Sequence, residues 1–125
     1  MGWLPFALLR WAKATRTNPD SIVTQKLSEL ASLAEPHGGG VRWPVHNATR
    51  APIFMDGWCN GTAGHVLLFA LAYDVLRVDG FAELAERGAE SAWAAEMELG
   101  TLCCGLASIG YAFTAAYQTS RQLAE

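Results

Sequence analysis

The sequence predicts an all-α fold in which an inner and an outer layer of helices alternate along the chain. Three observations predict it. No stretch of the 125 residues keeps a period-2 alternation of apolar and polar side chains, so helices joined by loops are expected. Segments near 3–15, 62–78 and 105–118 are apolar on most faces, whereas those near 20–34 and 81–98 are amphipathic. A helix apolar all round has to be buried on every side, and an amphipathic one covers it from outside. Finally, a short motif recurs 44 residues apart: Cys59-Asn60-Gly61-Thr62-Ala63-Gly64 and Cys103-Cys104-Gly105-Leu106-Ala107-Ser108. Each copy opens an apolar helix, which is the mark of a repeat architecture.

The first helix is expected over about Trp3 to Thr15, with Pro5 tolerated in its opening turn. Asn18-Pro19 then reads as a cap and a first-turn proline. The second helix carries Val23, Leu27, Leu30, Ala31 and Ala34 on one side and stops at Glu35-Pro36-His37-Gly38-Gly39-Gly40. Residues 36–57 form a long connector with Trp43-Pro44 and Ala51-Pro52, a length that is unusual unless the loop is functional or packed as a lid. After Gly61 runs an almost unbroken apolar helix from Ala63 to Val78, ended by Asp79-Gly80, which also caps the next. That fourth helix, about Phe81 to Glu98, sets Phe81, Leu84, Ala85, Ala89, Ala92 and Trp93 against a solvated face of Glu83, Glu86, Arg87 and Glu90. The last helix begins near Gly105 and is apolar nearly all round until Gln118.

Composition narrows the function. Nine Lys+Arg stand against 12 Asp+Glu, a net charge of −3, which leaves no basic footprint for nucleic acid or anionic lipid. A 51% hydrophobic content excludes a disordered tail. Only 17% of residues are charged, below the roughly 25% of an ordinary soluble domain. A small body needs more charge than average, so part of its surface is expected to be covered by something else. No secretion signal, myristoylation pattern or membrane span is expected, and a cytoplasmic location is the default. The chain reads as one partial domain over 1–125, because Gly2-Trp3-Leu4-Pro5-Phe6-Ala7-Leu8 weakly matches Gly64-His65-Val66-Leu67-Leu68-Phe69-Ala70 and places the start inside a further repeat.

The cysteines carry the chemistry. Cys59 and Cys103 hold the same place in two repeats, just ahead of an apolar helix, and Cys104 is adjacent. Equivalent positions of neighbouring repeats fall at the same end of a helical array, so the three sulfurs are expected to converge at the rim. Gly61 and Gly105 let the backbone approach closely there, and helix N-termini favour thiolate over thiol. Three soft ligands with a fourth position open suit a catalytic Zn²⁺. Inert packing accounts for most single cysteines, but it gives no reason for this register. His65 reads as a core histidine, His37 and His46 as surface residues of the connector, and Trp43, Trp58 and Trp93 as packing. No phosphate loop, paired carboxylates or Ser/His/Asp arrangement is present.

GWCNGTAG (57–64) and LCCGLASIGYAF (102–113) resemble the paired zinc motifs of the lanthionine synthetase C-like family. The resemblance implies that Cys59 supplies one zinc ligand and Cys103 and Cys104 two more, the all-cysteine variant of a set that more often ends in histidine. It implies an α/α toroid, of which this chain is a part, and a lanthionine-forming activity on a precursor peptide. In such domains zinc lowers the pKa of a peptide cysteine thiol, which adds to a dehydroalanine or dehydrobutyrine, and an acid protonates the enolate. The proton-handling His and Asp of the family belong to earlier repeats, so no catalytic residue is assigned from the motif and they are expected upstream of Met1. Met55 stands where an arginine is frequent, Asn60 where some relatives have Tyr or His, and Ser108 where a glycine is usual. The rival expectation is a non-catalytic zinc-binding module that binds peptide, a partner chain or its own copy through an exposed apolar edge. A thiol-rich helical fold without metal would make the 44-residue register an accident.

Overall fold

The computed structural model describes residues 2–45 and 51–125, so His46 lies outside the described residues. The chain is mostly helical: α1 (Trp3–Thr15), α2 (Ser21–Ser32), α3 (Thr62–Leu76), α4 (Asp79–Trp93) and α5 (Leu106–Ala124). The stripe of α2 buries Val23, Leu27 and Leu30. Its cap is Asp20, not Asn18: the Asp20 carboxylate accepts from the Ile22 N–H at 2.9 Å, satisfying an orphan donor of the first turn. Helix α3 ends at Arg77, which takes the left-handed conformation at φ 55° and donates its N–H to the Tyr73 carbonyl. Asp79 therefore opens α4 as a first-turn acid, where it complements the helix dipole.

The layering follows the apolar patterns, with one correction. Helix α3 packs between α1 and α5, and α4 lies across both α3 and α5, while α2 packs on α1. Glu83, Glu86 and Glu90 of α4 face solvent, as its pattern predicts. Among the described residues only α3 of the three apolar helices is enclosed on both flanks, with Ala63, Val66, Phe69 and Ala72 fully buried. The other two apolar helices are not: Trp3 and Trp11 on α1 and Leu106, Tyr111 and Tyr117 on α5 stand exposed. Besides α3, α1 meets α2 and α5 meets α4, and these contacts leave the named aromatic and leucine side chains exposed. That is the surface foreshadowed by the low charge content.

The connector is not featureless. Strands β1 (Glu35–His37) and β2 (Gly40–Arg42) form an antiparallel hairpin, and β3 (Pro44–Val45) pairs antiparallel with β4 (Ile53–Phe54). Two or three residues per strand are too few to show a period in the sequence. Gly38 and Gly39 turn the hairpin with φ of 56° and 83°, the left-handed pair that a two-residue turn demands. Gly40 then presses on α4, where a Cβ would meet the Arg87 carbonyl oxygen. This approach carries His37 onto Ser91, its Nδ1 lying 2.9 Å from the hydroxyl, so His37 is half-buried and not a free surface residue. It also seats Trp43 in the core, 1% exposed, with its indole N–H donating to the Leu30 carbonyl at 2.9 Å. Trp58 and Trp93 differ from the packing role expected of them, being 47% and 79% exposed.

Candidate metal centre

Two copies of one turn build the site. In the first, the Thr62 N–H donates to the Met55 carbonyl at 3.0 Å; in the second, the Leu106 N–H donates to the Leu99 carbonyl at 2.8 Å. Donors and acceptors are displaced by the same 44 residues that separate Cys59 from Cys103. Gly61 and Gly105 cap α3 and α5 in matching extended conformations, φ −120° and −132°. A Cβ at Gly61 would lie 2.6 Å from the Gly57 N and O and the Met55 O; one at Gly105 would lie 2.4 Å from the Leu99 O. Both turns close on backbone, and only glycine leaves room. Ser108, in place of the usual glycine, is fully buried and satisfies its hydroxyl on the Gly105 carbonyl at 2.7 Å.

The turns are also tied to each other. The Cys103 carbonyl accepts from the N–H groups of Trp58 at 2.9 Å and Cys59 at 3.3 Å. Gly57 makes the contact possible, since a Cβ there would meet that same carbonyl at 2.8 Å. The sulfurs follow the backbone: Cys59 Sγ lies 2.8 Å from Cys103 Sγ, and Cys104 Sγ donates to Cys103 Sγ at 3.3 Å. Cys59 and Cys104 are exposed and Cys103 is half-exposed, so the cluster is open to solvent. Cys103 thus touches both of the other cysteines predicted to converge with it.

The electrostatics differ from the expected thiolate. The hydrogen bond with Cys59, then that with Cys104, with desolvation adding, push the Cys103 thiol up to about 12. For Cys103 the two neighbouring thiols and desolvation together outweigh the helix N-terminus. Among the described residues no group of three or more His, Cys, Asp or Glu side chains is spaced to hold a metal ion. The contacts explain why: sulfurs around a tetrahedral zinc at about 2.3 Å stand about 3.8 Å apart, wider than this hydrogen-bonded set. As a donor set, three cysteine sulfurs on an open rim fit a soft cation, and exposure lets them spread.

Two clefts meet at the cluster. One, of about 590 Å³, is lined by Trp3, Phe6, Leu33, Val45 and Leu68 together with Cys59, Asn60 and His65. The other, of about 320 Å³, runs past Met55, Asp56, Glu96 and Glu98 to Cys59, Cys103 and Cys104. Cys59 and Asn60 line both. His65 is only half-buried and faces the larger cleft, so the core reading of it is incomplete. Composition hid this, because the cleft wall is assembled from α1, α2, the connector and α3 together.

A helical array with a solvent-facing thiol cluster between two repeated turns defines a class of proteins, and a sequence profile identifies it. The profile of lanthionine synthetase C-like proteins matches residues 1–123, and the chain belongs to that family. No curated protein and no solved structure matched in the corresponding comparisons. Among the described residues no helix is long and apolar enough to cross a membrane.

Proposed function

We propose that this chain is the thiol-activating part of a lanthionine-forming cyclase, in which Cys59, Cys103 and Cys104 hold a zinc ion beside a peptide-binding cleft. The single observation that carries the reading is the contact of three cysteine sulfurs from two turns 44 residues apart. A bound zinc ion supplies the positive charge that the thiol cluster lacks, favouring thiolate over thiol both in its ligands and in a peptide cysteine. The Cys103 carbonyl, holding the Trp58 and Cys59 N–H groups, fixes the spacing of the two ligand turns. The larger cleft offers apolar walls to the precursor peptide and has Cys59 in its lining. Addition of the peptide thiol to a dehydroalanine or dehydrobutyrine of that peptide then forms the thioether.

The test is the zinc content of the reduced, gel-filtered chain beside a Cys59→Ala variant. Cys59 is exposed, so its truncation opens no core cavity and the variant keeps its helical circular dichroism. About one zinc per chain, falling below about a tenth in the variant, is expected for a three-thiol site. A folded, reduced wild type without zinc would sink the proposal. A second reading, a non-catalytic zinc-binding module that docks a partner chain or a second copy, draws on the exposed Trp3, Trp11, Tyr111 and Tyr117. Thioether formation by the chain itself decides against it.

A further inference from the structure

We infer that Cys59 and Cys103 are an oxidative modification site: a low-molecular-weight disulfide such as oxidised glutathione converts them into a Cys59–Cys103 disulfide, and Cys104 stays a free thiol. The inference goes beyond the cyclase reading, since the pair closes whatever else the cluster binds. Its starting point is the distance between the two thiols. Cys59 Sγ lies 2.8 Å from Cys103 Sγ, although 44 residues separate them in sequence. Forming the bond brings two sulfurs to about 2.0 Å, whereas a tetrahedral zinc holds its sulfurs about 3.8 Å apart. The pair stands nearer to a disulfide than to a zinc shell.

Main chain holds the two residues together. The Cys103 carbonyl accepts from the Trp58 N–H at 2.9 Å and the Cys59 N–H at 3.3 Å. Gly57 lies so close that a Cβ there would come within 2.8 Å of that carbonyl oxygen and 3.0 Å of the Cys104 Cα. Two groups fixed side by side in this way meet at a high effective concentration. Cys104 is the natural competitor, since its Sγ donates to Cys103 Sγ at 3.3 Å. Its place in the chain disfavours it. Adjacent Cα atoms stand about 3.8 Å apart across a trans peptide, short of the ~4.4–6.8 Å that a disulfide spans. Exposure orders the steps: Cys59 is open to solvent and Cys103 less so, and an incoming disulfide meets Cys59 first.

The Cys59 sulfur attacks one sulfur of oxidised glutathione. The first glutathione thiol leaves with the electron pair of the broken S–S bond and the proton of the Cys59 S–H. The Cys103 sulfur then attacks the mixed disulfide at Cys59, and the second glutathione thiol leaves with the Cys103 proton. One disulfide is reduced to two thiols while two protein thiols are oxidised to one disulfide, so atoms and electrons balance. The bonded sulfurs can no longer become thiolates, which withdraws two of the three donors from a cation. On the cyclase reading the same bond switches zinc uptake off. Exposed disulfides are the labile ones, so a reductant restores the cluster.

The experiment incubates the chelator-treated chain with oxidised glutathione at pH 8, traps the remaining thiols with iodoacetamide and maps a digest by mass spectrometry. The expected product carries alkylation at Cys104 alone and a cross-link joining the fragments that hold Cys59 and Cys103. Cys104→Ser is expected to oxidise within about twofold of the wild-type rate, and Cys103→Ser at least ~10-fold more slowly. Zinc uptake by the oxidised chain is expected to fall at least ~10-fold and to return after a phosphine reductant. Three alkylated cysteines, a stable glutathione adduct, a bond to Cys104 or disulfide-linked dimers would each overturn the inference. The mapping is made on wild type, so it decides the matter even where a variant fails to fold. Undiminished zinc uptake by the oxidised chain overturns the switch. A chain that closes the disulfide but takes up no zinc when reduced sinks the cyclase reading and leaves the modification site standing.

Discussion

Replacing Gly61 by alanine tests the construction of the metal centre at its tightest point. The dihedral itself is permissive, φ −120°, so the added methyl acts through space alone. It would stand 2.6 Å from three backbone atoms, the Gly57 N and O and the Met55 O, none of which can rotate away. The turn over residues 55–61 must therefore open. Opening it gives up the Thr62 N–H to Met55 carbonyl bond, about 1 kcal/mol, and overpacking adds about 1–3 kcal/mol. The sum is about 2–4 kcal/mol, and with a urea m-value of about 1.5 kcal/mol/M the unfolding midpoint falls by about 1–3 M. Because Cys59 rides on the same turn, zinc stoichiometry falls with it. Gly110→Ala is the matched control: Gly110 is exposed in the interior of α5 with nothing within 4 Å of the new Cβ. That change is expected to gain about 0.5–1 kcal/mol from reduced backbone freedom. A Gly61→Ala protein with the wild-type midpoint and full zinc content would refute the claim that backbone contact shapes the site.

Trp43→Phe removes the indole N–H from the Leu30 carbonyl and trims the stack between His65 and Phe69. The Leu30 carbonyl keeps the Leu33 N–H, so the cost is expected at about 1–3 kcal/mol by urea unfolding; a change below about 0.5 kcal/mol contradicts the packing described. Asp74 of α3 ties the flanks together, bonding Lys13 of α1 and Gln122 of α5, with Arg77 nearby. Burial raises its pKa, but the Lys13 hydrogen bond and charge, the Gln122 hydrogen bond and the Arg77 charge outweigh it, and the net shift is downward. Its folded value thus lies below the unfolded one of about 3.9. The stabilisation is full above about pH 5 and is lost as pH falls through the lowered folded value. The ion pairs reach solvent through the exposed Lys13 and Arg77, so Asp74→Asn is expected to cost under about 1 kcal/mol at pH 7 and less as pH falls through the lowered folded value. Equal destabilisation at pH 7 and at low pH would rule the ion network out.

Long segments were legible because their patterns are local. Trp3–Thr15 of α1 matches its predicted bounds, and the amphipathic stripes of α2 and α4 point where expected. Short-range geometry was less so. The cap at Asp20 and the left-handed Arg77 close their helices within a residue or two of the expected signals. The two-stranded pairs at 35–42 and 44–54 are too short to carry a period. Trp93 belongs to the apolar stripe of α4 by spacing, yet it lies at the helix end, beside the Phe113 ring, and is mostly exposed.

The sequence by itself determined that the chain is helical and that Cys59 and Cys103 occupy equivalent places, because residue spacing and a repeat register are written along one dimension; that α3 alone of the three apolar helices is enclosed among the described residues came from the tertiary structure. Tertiary structure alone decided how those places are used. It pressed the Cys103 carbonyl onto the Trp58–Cys59 turn, brought the Cys103 sulfur against the other two and made the Cys103 thiol hard to ionise. It likewise turned His65 from a core position into the wall of a cleft. The physical reason is the same in both cases: close backbone approach and desolvation depend on which distant segments meet, and no local pattern encodes that meeting.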